Sequence, residues 1–426
     1  METIKIGLLG LGTVGMGVYR LMKRQAEEMK HKVGACVEVE RVLVRDASKV
    51  REGVDSAILT DNWQDIAEND DIKIVVEVMG GMEPAYTYIK EALRAGKSVV
   101  TANKDLMAAR GGELMDIAHQ HNCDLLFEAS VAGGIPIIRP LKQCLAGNSI
   151  TEIMGIVNGT TNFILTKMTK EGMEFEDALK MAQELGYAEA DPTADVGGLD
   201  AGRKIAIMAS IAFNSRVTFN DVDIEGITKI TSKDIKYANE MDCTIKLLGI
   251  ASNSEDGIEV SVHPMLIPSS HPLAGVNDAF NAVFVHGDAV DDAMFMGRGA
   301  GMYPTASAVM GDIIDVARNI RFNCCGRIGC TCYKHLAIKN PENSISKYFL
   351  RMQVDDRPGV LASVASVFGN NNVSIDRIIQ KTHSENTAEI VVITDRVRAG
   401  NFKDSLAIFG GMNMIKSISS VIRVYG

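Results

Sequence analysis

Between Gly186 and Ile207 the sequence packs four carboxylates and a lysine into one short stretch, Gly-Tyr-Ala-Glu-Ala-Asp-Pro-Thr-Ala-Asp-Val-Gly-Gly-Leu-Asp-Ala-Gly-Arg-Lys-Ile-Ala-Ile. Glu189, Asp191 and Asp195 sit among Pro192 and the Gly197-Gly198 pair, a composition that predicts a loop. Asp200 and Lys204 fall one helical turn apart at the head of an apolar-periodic run, which puts both on one face of a helix. Anions on a loop suit the ammonium group of an amino-acid-like substrate, and a lysine on the adjoining helix can move a proton. The alternative is a solvated acidic loop followed by an ordinary helical ion pair.

A second set of residues suits a nucleotide. The apolar run Thr3–Gly10 leads into Gly10-Leu11-Gly12-Thr13-Val14-Gly15, and a helical pattern follows from Val14 to about Lys32. Strand, glycine turn and helix together bring backbone N–H groups to a pyrophosphate and aim a helix N-terminus at it. The next strand, Val39 to Val44, ends in Arg45-Asp46. A guanidinium there pairs with a 2′-phosphate and favours NADP, while Asp46 leaves NAD open. Strands at Ile72–Met79 and Ser98–Thr101, with a helix from Pro84 to Ala95 between them, continue a βαβ pattern. Lys104 follows the second of these strands, at the edge where such sheets bind ligands, and is either aimed at the cofactor crevice or solvated.

The strand Leu125–Glu128 runs into Ala129-Ser-Val-Ala-Gly-Gly-Ile-Pro136. Exposed carbonyls and the Glu128 carboxylate could hold a monovalent cation, or the glycines could simply turn the chain. A strand from Ile150 is expected to end in a loop of donors and hydroxyls, Asn158-Gly-Thr-Thr-Asn162, and Gly297 to Thr305 leads into a helix from Ala306 to Arg318.

With 426 residues, 46% apolar and 23% charged, the chain is long enough for several globular domains. A net charge of −10 gives no footprint for nucleic acid or an anionic membrane surface. No apolar run is long enough for a membrane span, and the first residues lack a signal-peptide pattern, so the expected location is cytoplasmic. Cys324, Cys325, Cys330 and Cys332 crowd together, but adjacent cysteines with no second half mismatch a zinc site and predict reduced thiols.

In order along residues 1 to about 320, Gly10 to Gly15, Glu77-Val-Met-Gly-Gly81, Thr101-Ala-Asn-Lys104, Asn158 to Asn162, Gly186-Tyr-Ala-Glu-Ala-Asp-Pro192, Gly198-Leu-Asp-Ala-Gly-Arg-Lys204 and Gly299-Ala-Gly-Met-Tyr-Pro-Thr305 resemble the motifs of homoserine dehydrogenase. The resemblance implies NAD(P)H-dependent interconversion of L-aspartate 4-semialdehyde and L-homoserine, on the way to threonine, methionine and isoleucine. It implies NADP at Gly10, Gly12, Thr13, Val14, Gly15, Arg45, Lys104, Gly186, Glu189 and Gly301, with NAD possible. Substrate would fall to Glu189, Asp195 and Asp200, with Thr160 and Tyr187, and Lys204 would be the proton donor, with Lys104 and Asp200 beside it. Sodium would fall to Glu128 and the carbonyls of Val131, Gly133 and Ile135. The cysteine cluster has no counterpart in that pattern.

From Tyr348 the order βαββαβ, with Asp355-Asp-Arg-Pro-Gly-Val-Leu361 at its first turn, resembles an ACT domain, which implies an amino-acid effector, threonine first. The expected domains are a Rossmann-like NAD(P)-binding domain at 1–135, closed by part of 300–320; an α+β substrate and dimerisation domain at 136–320; a cysteine-rich segment and linker at 321–344; and a ferredoxin-like ACT domain at 345–426. The fold class is α/β, and the expected assembly is a homodimer or homotetramer. With no kinase segment ahead of residue 1, the monofunctional form is expected. Two alternatives stand beside this reading: a dehydrogenase for another amino-acid aldehyde or amine, and a non-enzymatic amino-acid sensor with a degenerate nucleotide domain.

Overall fold

A computed structural model describes residues 2–384 and 386–426. The chain divides into two compact units, one of Met1–Ile153, Arg203–Asp221 and Phe280–His335, the other of Met154–Gly202, Val222–Ala279 and Leu336–Gly426. Among the described residues no helix is long and apolar enough to cross a membrane.

The first unit holds a six-stranded sheet in the order Leu59–Thr60, Cys36–Leu43, Thr3–Leu9, Ile72–Glu77, Ser98–Thr101, Leu125–Leu126. Every pairing is parallel. Its central strands are near-continuous apolar runs because both faces are covered. This is the doubly wound order whose strand reversal creates a nucleotide crevice. One expected helix, Val14 to about Lys32, is two, Thr13–Arg24 and Ala26–Val33, broken at Gln25 and stopped by Gly34 in the left-handed region. The helix Met302–Arg321, longer than expected at both ends, buries Val309, Ile313 and Val316 in the same core as Ile4, Ile6 and Val18. Each such side chain contributes about 1.5–3 kcal/mol. Gly17 permits the approach, since a Cβ there would stand 2.8 Å from the Met302 carbonyl oxygen.

The second unit contains the antiparallel hairpin Cys243–Ser254 and Gly257–Pro268. In the C-terminal βαββαβ the apolar runs predict strands at 348–354, 373–382, 387–394 and 415–424 and helices at 360–370 and 399–410; the helices Val360–Asn370 and Ala399–Gly410 and the strands Thr387–Thr394 and Ile415–Val424 match, while the other two strands are Ile345–Asp355 and Ile375–Ser384. Strand Ile345–Asp355 lies between Ile415–Val424 and Thr387–Thr394, with Ile375–Ser384 outermost. Alternation along the central strand divides its side chains between two faces. Tyr348, Leu350, Met352 and Val354 pack under the two helices with Phe368, Phe402 and Phe409. Phe349 and Arg351 meet the helix Ser232–Glu240, through Tyr237 and Asp234. The last strand also pairs with the hairpin at Met265 and Leu266. The ACT-like segment is therefore built into this unit by strand pairing and by packing on its second face, where the sequence suggested only a polar linker.

Candidate active site

Asn158 is the centre of the acidic cluster. It caps the helix Gly159–Glu171, its Oδ1 accepting the Thr161 N–H at 2.9 Å. Its Nδ2 donates to Asp195 Oδ1 at 2.7 Å and to Asp200 Oδ2 at 2.8 Å. One amide thus fixes a helix start and two carboxylates. The expected loop at 158–162 is in fact this cap and the first helical turn, because an asparagine at the end of a strand can satisfy the exposed N–H groups of a helix start. Asp195 likewise sits in a short helix, Thr193–Val196, and not in a loop. Gly198, at φ +81° and against Ile224 and Val262, turns the chain from that helix into Leu199–Ala212.

Of the four carboxylates only Asp195 and Asp200 converge on this amide. Asp191 is exposed and accepts from the N–H and hydroxyl of Thr193, which hold its carboxyl below the usual range. Glu189 is exposed on the turn after Gly186. Thr160 is buried and donates its hydroxyl to the Tyr187 carbonyl at 2.7 Å, while the Tyr187 ring packs on Phe163. Thr160 therefore supports the turn that carries Tyr187 and Glu189.

Lys204 is half-buried, one turn beyond Asp200 on the helix Leu199–Ala212. Lys104 is the first residue of the helix Lys104–Gln120, which Asn103 caps. The residues next to these lysines, Arg203 and Asp105, form an ion pair at 2.8 Å that ties the two helix beginnings together. Behind Lys104, buried Glu77 accepts from the Met79 and Gly80 N–H groups and from the Thr101 hydroxyl, and Asn103 donates to the Gly81 carbonyl. These contacts order the carboxyl ends of two central strands. Asn158, Glu77 and Asn103 hold the candidate site in shape, and their motifs in the sequence carry no sign of those roles. A strand-end asparagine just before a helix signals only the cap at Asn158.

The glycine turn has the form an anion needs. Gly10 has φ +96°, and a Cβ at Gly15 would stand 2.1 Å from the Gly10 carbonyl oxygen, so only glycine fits there. Gly12, the N-cap, and Thr13 are exposed, Val14 is partly so, and nothing lies within 4 Å of where a Gly12 Cβ would be. Helix-start N–H groups are thus accessible to a pyrophosphate. Arg45 is exposed at the end of the second strand, whereas the Asp46 carboxylate turns back onto the N–H and hydroxyl of Ser48. Gly301 caps the helix Met302–Arg321 at φ +124°, and the next residue abuts Gly17. Gly186 adopts φ +74°.

The loop at 128–139 alters one expectation. The Glu128 carboxylate accepts three backbone N–H groups, those of Ile137, Ile138 and Arg139, at 2.6–2.8 Å. It therefore orders the loop, and a cation there would depend mainly on backbone carbonyls. Gly133, at φ +56°, lies against the Gly299 carbonyl; Gly299 in turn lies against Asn281, a buried amide with no hydrogen-bond partner on either atom. Among the described residues no group of three or more His, Cys, Asp or Glu could hold a metal ion, the cysteine cluster included.

Residues 10–128 match the model of the homoserine dehydrogenase NAD-binding domain, 136–314 that of homoserine dehydrogenase and 348–408 that of the ACT domain. The homoserine dehydrogenase of Bacillus subtilis is 45% identical over 432 residues, covering 100% of this chain and 99% of that protein. That of Corynebacterium glutamicum is 47% identical over 429 residues, covering 99% and 96%. A crystal structure of the Thiobacillus denitrificans homoserine dehydrogenase superposes with a TM-score of 0.95 at 41% identity, covering 100% of this chain and 99% of that one. A hyperthermophilic archaeal homoserine dehydrogenase in complex with NADPH gives 0.63 at 28% identity, over 74% of this chain and 98% of its own. With the Rossmann order, the glycine turn and the Asn158 cluster in place, these matches show that the chain belongs to the homoserine dehydrogenase family, NAD(P)-dependent oxidoreductases acting on a CH–OH group, and carries an ACT domain.

Proposed function

We propose that this chain reduces L-aspartate 4-semialdehyde to L-homoserine, and runs the reverse reaction, with NADPH as the preferred partner, as a cytoplasmic homodimer or homotetramer. The observation that carries the site assignment is the pair Asp195 and Asp200 held by one amide, a helical turn before Lys204. The reduced nicotinamide supplies hydride to the aldehyde carbon. Asp195 and Asp200 hold the substrate ammonium, with Glu189 and Tyr187 as further substrate contacts. Lys204 Nζ donates a proton to the developing alkoxide oxygen and takes it back in the reverse direction, with Lys104 sharing that task. Gly10, Gly12, Thr13, Val14, Gly15, Gly186 and Gly301 bring backbone close to the nucleotide, and Arg45 pairs with its 2′-phosphate. The Val131, Gly133 and Ile135 carbonyls hold a sodium ion in the loop that Glu128 orders.

The direct test follows NADPH absorbance with purified full-length chain and aspartate semialdehyde. Oxidation of NADPH with formation of homoserine supports the reading, and no reaction with that aldehyde rejects it.

Threonine is the proposed effector, bound at the turn Asp355–Leu361, where residues 356–359 are exposed. Gly359 there has φ +94° and caps the helix Val360–Asn370, presenting N–H groups to a carboxylate. Because Ile415–Val424 pairs with the hairpin strand Gly257–Pro268, deleting the domain would remove a structural neighbour. The cleaner test titrates threonine against the full chain and against Gly359→Val. Inhibition of the first alone supports the ACT site; equal inhibition of both places threonine at the active site; inhibition of neither rejects it as effector.

A further inference from the structure

Within the first unit a pocket with about 620 Å³ of open space lies along the helices Lys104–Gln120 and Leu199–Ala212, past the ends that carry Lys104 and Lys204. Met107, Met115, Phe127 and Ile211 give it an apolar wall, and Cys330-Thr331-Cys332 borders it. Two cations face the first cysteine: Arg216 Nη2 lies 3.9 Å from Cys330 Sγ, and Lys142 lines the same pocket, its Nζ donating to the neighbouring Gly329 carbonyl at 3.1 Å. Cys332 stands beside it, its thiol donating to the Ser210 carbonyl at 3.6 Å; the Cys332 thiol and backbone N–H, followed by Arg216 and Lys142, lower the Cys330 pKa, while Cys330 raises that of Cys332. Burial works in the opposite direction elsewhere, pushing Cys123 up to about 12 and Cys325 up to about 11. Cys330 is also exposed. An accessible thiol of lowered pKa with cations beside it is the arrangement that attacks disulfides.

We propose that Cys330 is a thiol–disulfide exchange site for small disulfides bearing carboxylates, and that the mixed disulfide it forms slows the enzyme by disturbing the two helices that carry Lys104 and Lys204. The apolar wall accommodates the body of the reagent, and Arg216 and Lys142 pair with its carboxylates. In the exchange the Cys330 thiolate attacks one sulfur of RSSR. A Cys330–S–S–R bond forms, the reagent's S–S bond breaks, and RS⁻ leaves to take a proton from water. The disulfide is the only oxidant required. The effect on turnover rests on the catalytic reading of the two lysines; the exchange itself does not.

The test incubates the reduced full-length protein with oxidised glutathione at about pH 6.5, roughly two units below an ordinary thiol. Peptide mapping then follows the free thiol of each cysteine. Cys330 should react at least about tenfold faster than Cys144, which is also exposed. Arg216→Gln should slow that reaction several-fold, and NADPH turnover should fall in parallel and return with reductant. Cys330→Ser should keep basal turnover and be insensitive to the reagent. Equal rates at Cys330 and Cys144 would overturn the site. Complete modification of Cys330 with unchanged turnover, or the same loss in Cys330→Ser, would overturn its link to catalysis. Mapping remains informative even if the semialdehyde proves not to be the substrate.

Discussion

In the second unit Asp234 and Glu389 converge on the guanidinium of Arg351, at 2.9 and 3.1 Å, whereas Asp195 and Asp200 converge on the side-chain amide of Asn158. Lys233 and Tyr237 complete the first cluster by reaching Glu389. Burial opposes ionisation of Arg351 and Glu389, yet their partners outweigh it and shift each toward its charged form. That cluster is a matched set of opposite charges joining the ACT sheet to the helix Ser232–Glu240. In the second cluster the holding group is neutral, so it orients two anions without adding a positive charge. Two carboxylates oriented together by a neutral amide can face an ammonium group. Similar hydrogen-bond lengths thus hold two pairs of carboxylates, one fully buried on a charged group, the other on a neutral amide with Asp195 only partly buried.

The largest effect should come from Lys204, one helical turn after Asp200. Lys204→Met should lower kcat on the order of 10⁴-fold, about 5.4 kcal/mol, while NADPH affinity stays within a few-fold, because in the proposed mechanism the lysine moves a proton and does not hold the nucleotide. Steady-state rates with fluorescence titration of NADPH would check this. A variant retaining a tenth of the wild-type kcat would remove Lys204 from the proton transfer.

On the other side of the comparison, Arg351→Met leaves Asp234 and Glu389 buried without the cation between them. A stability loss of about 3–5 kcal/mol is expected in denaturant unfolding, with kcat per folded molecule nearly unchanged. The sign with pH follows from Glu389, whose pKa lies below the ordinary 4.5. Its contribution is present above that value and lost as pH falls through the folded pKa, so the wild type should lose more stability in acid than the variant. If Arg351→Met instead lowered kcat with little change in unfolding, the cluster would belong to the active site.

How far this contrast could be read from the sequence differs between the regions. The helices Val360–Asn370 and Ala399–Gly410 were legible to the residue, because glycines and polar turns bracket apolar runs that need no distant partner. Asp200 and Lys204 were legible as a pair because helical spacing is local. Asn158 was not, since its partners lie 37 and 42 residues away and its strand-end setting looks the same whether or not they are there. Glu128 shows the same limit: its carboxylate is spent on N–H groups of a turn that only the folded chain brings round. Arg351 looks from its sequence like any strand residue, and alternation places it opposite the apolar core without naming Asp234.

A smaller effect is expected from Asp200→Asn, which keeps the shape but removes one anion from the proposed ammonium site. Losing a hydrogen bond to a charged group costs about 1.5–3 kcal/mol, so kcat/KM should fall roughly ten- to hundredfold, mostly through KM, with a minor change in thermal unfolding. An equal loss in kcat at unchanged KM would instead make Asp200 a partner of the lysine.

The finest division is within Asn158 itself, which caps a helix with its oxygen and positions two carboxylates with its nitrogen. Asn158→Ser separates these roles. Serine is about as good an N-cap as asparagine, so the helix Gly159–Glu171 should keep its start and stability should change by about 0.5 kcal/mol or less. A hydroxyl has only one hydrogen to donate and a shorter reach, so it cannot hold both carboxylates. The carboxylate released should wander, and kcat/KM should fall about tenfold, the equivalent of about 1.4 kcal/mol. Asn158→Leu should show the same kinetic loss together with a further cost of about 1 kcal/mol from the missing cap. If Asn158→Ser matched the wild type in kcat/KM, holding both carboxylates on one neutral donor would be dispensable, and the contrast with Arg351 would reduce to helix capping.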